Sequence, residues 1–164
     1  MTAENKISVA FVCLGNICRS PMAEAVFRHT VKQNHLEERF EKIDSFGTAG
    51  YHVGETPDSR SSSTCRSHGV PVNHRAQQIR AHHFNEFEYI ICMDESNYRN
   101  LDRLKPKGSK AQIYLFGHWN SDGQFNKIVD DPYYGGKEGF EYNFKQVTYF
   151  SKEFLKRELD ENVE

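Results

Sequence analysis

The sequence lacks a long hydrophobic run, which argues against a protein that spans a membrane. The apolar segment near its start, residues 7–14, is short, contains Ser8 and follows Glu4. Such a segment is too short for a membrane helix and is not built like a signal peptide. With 164 residues, of which 37% are hydrophobic and 27% charged, the chain has the composition of a soluble domain with one core. We therefore expect a single domain over residues 1–164, located in the cytoplasm and without a membrane partner.

An excess of charge of either sign is also missing. The chain carries 21 lysine and arginine residues against 23 aspartate and glutamate residues, for a formal net charge of -2. This balance gives no overall attraction toward nucleic acid or acidic lipid, so any anion-binding site must be local. We expect no nucleic-acid partner.

Cysteines are few, and their spacing does not match a zinc site or a disulfide scaffold. There are four, and without a secretion signal they are expected to be free thiols in a reducing compartment. Cys13 and Cys18 are five positions apart, and no second close pair exists. The nucleotide-binding pattern Gly-x-x-x-x-Gly-Lys-Ser/Thr is missing as well, because no lysine follows Gly15 at that spacing. We expect neither a metal nor a cofactor.

Strand patterns alternate with helix patterns along the chain. Apolar, β-rich segments predict strands at residues 7–14, 39–46, 89–93 and 111–116. Helical spacing predicts helices after Ser20 with Pro21 at the first position, over residues 58–68 and 94–103, and after a loop at residues 117–139. The predicted fold is α/β, with a central four-stranded parallel sheet and helices on both faces, of the flavodoxin-like, doubly wound type. Ligands of such folds bind beyond the carboxyl ends of the strands.

The segment VCLGNICRSP, residues 12–21, connects the first predicted strand to the first helix. Backbone N–H groups in such a loop, together with the helix N-terminus, form a nest for an anion. Gly15 and Asn16 tolerate the left-handed backbone that a tight nest needs, and Arg19 adds a planar charged fork for two phosphate oxygens. Cys13 at the floor of this nest should exist largely as thiolate. It could attack phosphorus while the loop holds the equatorial oxygens.

The sequence resembles the low-molecular-weight protein tyrosine phosphatases. The resemblance rests on Cys13-x5-Arg19-Ser20 near the start and Asp131-Pro132-Tyr133-Tyr134-Gly135 far downstream, and it extends over nearly the whole chain. The segments KIDSFGTAGYHVGE and FEYNFKQVTYFSKEFLK are most similar to yeast members. The resemblance implies hydrolysis of phosphotyrosine in proteins or peptides, and of small aryl phosphates, through a cysteinyl-phosphate intermediate and without a metal.

The same resemblance implies a role for each residue of the motifs. Cys13 is the expected nucleophile, Arg19 the phosphate clamp, and Asp131 the acid in the first step and the base in the second. The phosphate-binding loop comprises these further residues: Leu14, Gly15, Asn16, Ile17, Cys18 and Ser20. Members that resemble arginine-phosphate phosphatases carry threonine at the position of Ile17, so isoleucine favours a tyrosine-directed member.

Several other positions allow both a structural and a functional interpretation. Ser20 could cap the first helix or, as in the family, hydrogen-bond the thiolate. Asn16, Ser45 and His74 match family positions whose hydrogen bonds brace the loop. Asp94 also matches a family position, for which we expect a structural role.

Aromatic residues in two loops are expected to shape the substrate cleft. Tyr133 and Tyr134 beside the expected acid could form walls of a slot for a phenyl ring, together with Tyr51. A deep slot favours phosphotyrosine, because phosphoserine is too short to reach the floor. Family tyrosines at positions 133 and 134 can be phosphorylated or join weak dimer contacts, so a monomer or a weak dimer is expected.

Cys18 could trap an oxidised Cys13 as a disulfide, as it does in the family.

An arsenate reductase on the same fold is an alternative, but it needs a relay of further cysteines on a mobile segment. Cys65 falls in a predicted helix and Cys92 in a predicted buried strand, without a close partner downstream. A non-catalytic phosphotyrosine-binding module is a second alternative, although such a protein should have lost the cysteine, the arginine or the acid. A general acid phosphatase or acyl phosphatase role also stays open.

Overall fold

The computed structural model describes residues 6–133 and 136–164, in which strands and helices alternate. The strands are β1 (Ile7–Cys13), β2 (Phe40–Gly47), β3 (Tyr89–Cys92) and β4 (Gln112–Leu115). The helices are α1 (Arg19–Gln33), α2 (Ser59–Ser67), α3 (Glu95–Leu104) and α4 (Lys137–Leu159). Short 3₁₀ turns occupy Glu37–Arg39, Ala81–Asn85 and Phe116–Trp119. All four predicted strands and all four predicted helices are present.

The strands form one parallel sheet in the order β2-β1-β3-β4. In the centre, Val12 pairs with Phe46 on one side and Cys92 on the other. The chain moves outward from β1 in both directions, so the crossover direction reverses beside β1. The predicted doubly wound α/β fold is confirmed, and its ligand crevice is expected at the carboxyl end of β1.

Alternate residues of β1 face two separate hydrophobic cores. Val9 and Phe11 point to the face covered by α1 and α4, whereas Ala10 and Val12 point to the opposite face. The ring of Phe11 packs between Phe27 and Phe116, with centroid distances of 5.2 and 5.1 Å. Because both faces of β1 are apolar and buried, the strand tolerates polar atoms only at its ends. Polar or reactive side chains of this segment are therefore expected only after Val12.

The start of α1 differs from the prediction. The helix begins at Arg19, so Pro21 is its third residue rather than its first, and Cys18 stands at the cap position without a side-chain cap bond. Proline is tolerated there because the first N–H groups of a helix have no partner within it. The hydroxyl of Ser20 does not cap the helix. It is directed toward Cys13, and the helix N-terminus is thereby open to the loop that precedes it.

Helices α2 and α3 start at residues whose side chains cap them, whereas α4 follows Gly136 without a side-chain cap. The Asp58 carboxylate accepts a hydrogen bond from the backbone N–H of Arg60 at the start of α2. Asp94 and Asn97 form a reciprocal capping box at the start of α3. Over the residues that the structure describes, no helix has both the length and the apolar character needed to cross a membrane.

Candidate active site

A pocket of about 300 Å³ opens at the carboxyl end of β1, where the fold predicts a ligand crevice. Its walls come from the loop after β1, the loop after β2 and the segment before α4. The lining residues are Cys13, Leu14, Gly15, Ile17, Cys18, Arg19, Tyr51, His52, Asp131 and Tyr133. The sequence predicted all of these except His52. Tyr134, the remaining predicted wall, lies outside the described residues.

Cys13 lies at the floor of the pocket and is only 3% exposed. Its Sγ accepts a hydrogen bond from the backbone N–H of Asn16 at 3.3 Å and lies 3.0 Å from the Ser20 Oγ. Asn16 adopts a left-handed backbone with φ of 59°, which turns the loop around the sulfur. Donors directed at sulfur stabilise the thiolate form, which is the nucleophilic form of cysteine.

The side chain of Asn16 connects the loop to the rest of the domain. Its amide nitrogen donates to the hydroxyls of Ser20, at 2.7 Å, and Ser45, at 3.1 Å. Its Oδ1 accepts from the backbone N–H of Gln77 at 2.8 Å and lies 2.7 Å from the His74 Nε2. Asn16 and Ser45 have no solvent exposure. Asn16, Ser45 and His74, the three residues expected to brace the loop, are thus in direct contact, and Asn16 also bonds Ser20.

Glu24 extends this network and was not predicted as part of it. The hydroxyl of Ser45 donates to the Glu24 Oε1 at 2.7 Å, and the His74 Nδ1 lies 3.3 Å from the same oxygen. The other carboxylate oxygen accepts from the Arg28 Nε at 2.8 Å. Glu24 is 5% exposed, so its charge depends on these partners. One signal was available: Glu24 lies one helical turn after Ser20, on the same face of α1.

Arg19 is 4% exposed, and one nitrogen of its guanidinium is held by two hydrogen bonds. Its Nη1 donates to the Asp94 Oδ2 at 2.7 Å and to the carbonyl of Val129 at 3.0 Å. Burial lowers the pKa of the guanidinium, but the nearby charges of Cys13, Asp94 and Asp131 together outweigh this effect and raise the pKa above its ordinary value. Asp94 therefore combines its cap of α3 with the orientation of Arg19.

Asp131 lies at the pocket mouth with 46% of its side chain exposed. Its Oδ2 is 3.8 Å from the Arg19 Nη2, and its Oδ1 accepts from the backbone N–H of Tyr133 at 3.0 Å. Tyr133 and Tyr51 stand on the rim, where large parts of both rings are exposed. An acid in this position can reach a group bound in the pocket while it remains open to water.

The three cysteines other than Cys13 are also buried. Burial, followed by the nearby charges of Asp58 and Cys13, raises the pKa of Cys18 to about 12. Burial also raises the pKa values of Cys65 and Cys92 to about 12. All four cysteines are free thiols.

Two groups of described residues bring potential metal ligands close together, and neither contributes to the pocket lining. Glu24, Asp44 and His74 form one group, in which Glu24 and His74 already belong to the hydrogen-bond network below the loop. His82, His83 and Glu86 form the other on a surface turn. There the His83 Nδ1 accepts from the backbone N–H of residue 80, which leaves the proton of the neutral ring on Nε2. Neither arrangement is set up as a catalytic metal centre.

Known proteins of similar sequence match this chain over nearly its whole length. Residues 8–164 match the family described as low molecular weight phosphotyrosine protein phosphatase. The protein of that name from Saccharomyces cerevisiae is 62% identical over 161 residues, which cover 97% of this chain and 100% of the yeast protein.

Solved structures of similar proteins have the same fold. The crystal structure of Primo-1 superposes with a TM-score of 0.88 at 42% identity, and the match covers 93% of this chain and 99% of the other. The structure of a Drosophila arginine phosphatase superposes with a TM-score of 0.86 at 32% identity, covering 95% of this chain and all of the other. The resemblance predicted from the Cys13 and Asp131 motifs is confirmed by these matches. The chain therefore belongs to the low molecular weight phosphotyrosine protein phosphatase family.

Proposed function

We propose that this chain, as a phosphatase of its family, hydrolyses phosphotyrosine in proteins and peptides through a phosphocysteine at Cys13. One observation carries the proposal. The Cys13 sulfur lies at the floor of an open pocket, in contact with an N–H group and a hydroxyl, while Arg19 and Asp131 line the same pocket. Nucleophile, phosphate clamp and acid are thus in one place.

In the first step the Cys13 thiolate attacks phosphorus, so that the S–P bond forms as the bond from phosphorus to the phenolic oxygen breaks. Backbone N–H groups of the loop and the Arg19 guanidinium stabilise the three equatorial oxygens. Asp131, protonated at the start, gives its proton to the leaving phenolic oxygen. The products of this step are the free tyrosine side chain, phosphocysteine and the Asp131 carboxylate.

In the second step water attacks the phosphorus and loses a proton to Asp131. The S–P bond breaks, inorganic phosphate is released, and Cys13 leaves as thiolate. The Ser20 hydroxyl, 3.0 Å from the sulfur, stabilises the negative charge that returns to it. A metal is not needed in either step, since the guanidinium and the loop dipoles supply the positive field.

The walls of the pocket favour an aromatic phosphate ester. Leu14, Tyr51 and Tyr133 are partly exposed apolar side chains around a nucleophile that is almost fully buried. A phenyl ring can stack between these walls while its phosphate reaches Cys13. Ile17 lines the same pocket, in agreement with a tyrosine-directed enzyme rather than an arginine-directed one.

The proposal extends to the whole chain. We treat residues 1–164 as one catalytic domain, because the family match begins at residue 8 and continues to residue 164. Four free thiols are compatible with the reducing cytoplasm, and the balanced charge gives no reason for a nucleic-acid or membrane partner. Exposed Tyr51 and Tyr133 offer a small apolar contact, which suits a monomer or a weak dimer.

The test is phosphate release from matched phosphotyrosine and phosphoserine peptides in the presence of a chelator, with Cys13→Ser as the control. We expect release from the phosphotyrosine peptide only, and complete loss of it in the variant. A strict metal requirement, or activity that survives in Cys13→Ser, would contradict the mechanism. If the wild type acts on neither peptide, arsenate with a thiol donor is the next substrate to try.

A further inference from the structure

Arg60 lies beside the pocket in the first turn of α2, where it is paired with Asp58. Its Nε donates to the Asp58 Oδ1 at 3.1 Å and its Nη2 to the Oδ2 at 3.0 Å. The pair is bidentate, so the plane of the guanidinium is fixed as well as its position. The hydrogen bonds from Arg60 also hold the pKa of Asp58 below its usual range.

The start of α2 is attached to the phosphate-binding loop. The backbone N–H of Asp58 donates to the carbonyl of Ile17 at 2.7 Å. The hydroxyl of Ser61 donates to the carbonyl of Cys18 at 2.9 Å. Because these two carbonyls belong to the loop that surrounds Cys13, the Asp58–Arg60 pair has a fixed position relative to the nucleophile.

The guanidinium of Arg60 contacts two aromatic rings from the C-terminal part of the chain. Its central carbon lies 5.3 Å from the centroid of Tyr133 and 4.8 Å from that of Phe140. Both distances are within the range of cation–π attraction. Tyr133 follows the expected acid by two residues, and Phe140 is in the first turn of α4. The Arg60 side chain therefore connects the phosphate-binding loop, the last helix and the segment around Asp131 and Tyr133, which we call the acid loop.

The backbone of Tyr133 is in direct contact with the expected acid, Asp131. The N–H of Tyr133 donates to the Asp131 Oδ1 at 3.0 Å. That bond leaves Oδ2 directed toward Arg19, at 3.8 Å from its Nη2. A displacement of the Tyr133 ring would thus be transmitted to the carboxyl group through a single short turn.

We propose that Arg60 is a positioning residue for the reaction, which holds Asp131 over the phosphate-binding loop through the ring of Tyr133. The role rests on the proposed phosphatase function and deepens it. Arg60 acts on the proton transfer to the leaving group and makes no contribution to the attack of Cys13 on phosphorus. Its effect is therefore largest for esters whose leaving group needs a proton.

The test uses the dependence of kcat/KM on the leaving group. Phenyl phosphate has a basic leaving group that must be protonated, whereas 2,4-dinitrophenyl phosphate departs without an acid. General acids contribute about 10²–10⁴-fold, so a misplaced acid in Arg60→Gln should lower kcat/KM for phenyl phosphate by about tenfold. The value for dinitrophenyl phosphate should change by less than about twofold, because no proton transfer is needed there.

Matched variants separate positioning from a general effect on the fold. Arg66→Gln removes an arginine from the last turn of the same helix, where its Nη2 donates to the carbonyl of Val72, and it should behave as wild type. Arg60→Lys keeps the charge but not the flat bidentate fork, and should recover only part of the phenyl phosphate activity. When Asp131 is already replaced by asparagine, adding Arg60→Gln should not change the ratio of kcat/KM for phenyl phosphate to that for 2,4-dinitrophenyl phosphate.

Two results would overturn the proposal. One is an Arg60→Gln enzyme that matches wild type on both esters, and the other is an equal loss on both, which would indicate a structural role alone. If Arg60→Gln does not fold, the same comparison of kcat/KM on the two esters is made with Arg60→Lys. A wild type without activity, or an active Cys13→Ser, would instead refute the proposed function and this role with it.

Discussion

Two thiols line the same pocket, and their surroundings give them different chemistry. The Cys13 sulfur faces the N–H of Asn16 and the hydroxyl of Ser20. Cys18 has its pKa raised to about 12 by burial and by the nearby charges of Asp58 and Cys13, so its thiol is protonated at neutral pH. Peroxide should therefore oxidise Cys13 first, since oxidation follows thiolate character.

The redox role that we propose for Cys18 leads to a prediction at this scale. Peroxide converts the Cys13 thiolate to a sulfenic acid, and the Cys18 thiol then displaces water to form a disulfide. A dithiol should restore activity to the wild type, whereas Cys18→Ser should lose it permanently as the sulfenic acid is oxidised further. Cys65→Ser, which changes a buried thiol outside the pocket, is the control. Equal recovery in Cys18→Ser and the wild type would contradict the protective role.

The residues of the site were predictable to the extent that they stand close together in sequence. The spacing from Cys13 to Arg19 and the Asp131-Pro132 pair are local patterns, and they identified the pocket. Glu24 and Arg60 were not predicted, because their contacts involve segments far apart in the chain: Glu24 with residues 45 and 74, and Arg60 with residues 133 and 140. Such contacts depend on tertiary packing, which no local spacing encodes. His52, which lines the pocket next to Tyr51, was not predicted either.

At the scale of elements, the start of α1 was the weakest part of the prediction. Propensity favoured a cap at Ser20 and proline at the first helical position. The helix instead starts at Arg19, and the Ser20 hydroxyl points to Cys13, the nucleophile of the proposed reaction, rather than to the helix N-terminus. The sheet was easier to predict, since buried parallel strands are nearly continuous apolar runs.

The contact between α4 and the acid loop allows a prediction in which stability and activity change in opposite directions. A Cβ added at Gly139, in the first turn of α4, would lie 3.3 Å from the Pro132 Cβ. Gly139→Ala should stabilise the helix by about 0.5–1 kcal/mol at most, because glycine is a poor helix former. It should also push Pro132, and with it the neighbouring Asp131, by a few tenths of an ångström.

Activity is expected to fall in this variant. A misplacement of 1 Å can cost about 100-fold, so a shift of a few tenths should lower kcat/KM for phenyl phosphate by about two- to fivefold. Thermal melting and leaving-group kinetics on the same preparation would measure both effects. An unchanged or higher kcat/KM would show that the acid loop is independent of the start of α4.

At the scale of the whole molecule, stability should depend on pH through two histidines, the partly buried His83 and the more exposed His118. Burial, assisted by the charge of His82, lowers the pKa of His83. Burial, assisted by Arg157, lowers that of His118. The His83 Nδ1 also accepts a hydrogen bond from the backbone N–H of Arg80, which a proton on that nitrogen would remove.

A histidine with a depressed folded-state pKa is protonated in the unfolded chain before it is protonated in the native one. Its stabilising contribution is therefore complete above the unfolded value of about 6.5 and is lost as the pH falls through the native value. The melting temperature should drop between about pH 7.5 and 5.5, by about 2–4 °C for each kcal/mol lost in a domain of this size. Most carboxylates titrate below this range, so the histidines dominate the change.

The double variant His83→Asn, His118→Asn tests this assignment. Asparagine places an acceptor near the Nδ1 position of His83 but cannot take up a proton, so the melting temperature of the variant should change less with pH than that of the wild type. His35→Asn is the matched control, because His35 is exposed in a left-handed turn that asparagine also tolerates. If the melting temperatures of the wild type and the double variant fall in parallel with pH, the loss of stability in acid comes from other groups. A flatter curve for the variant would show that acid lowers the stability of the domain through histidines that lie outside the pocket lining.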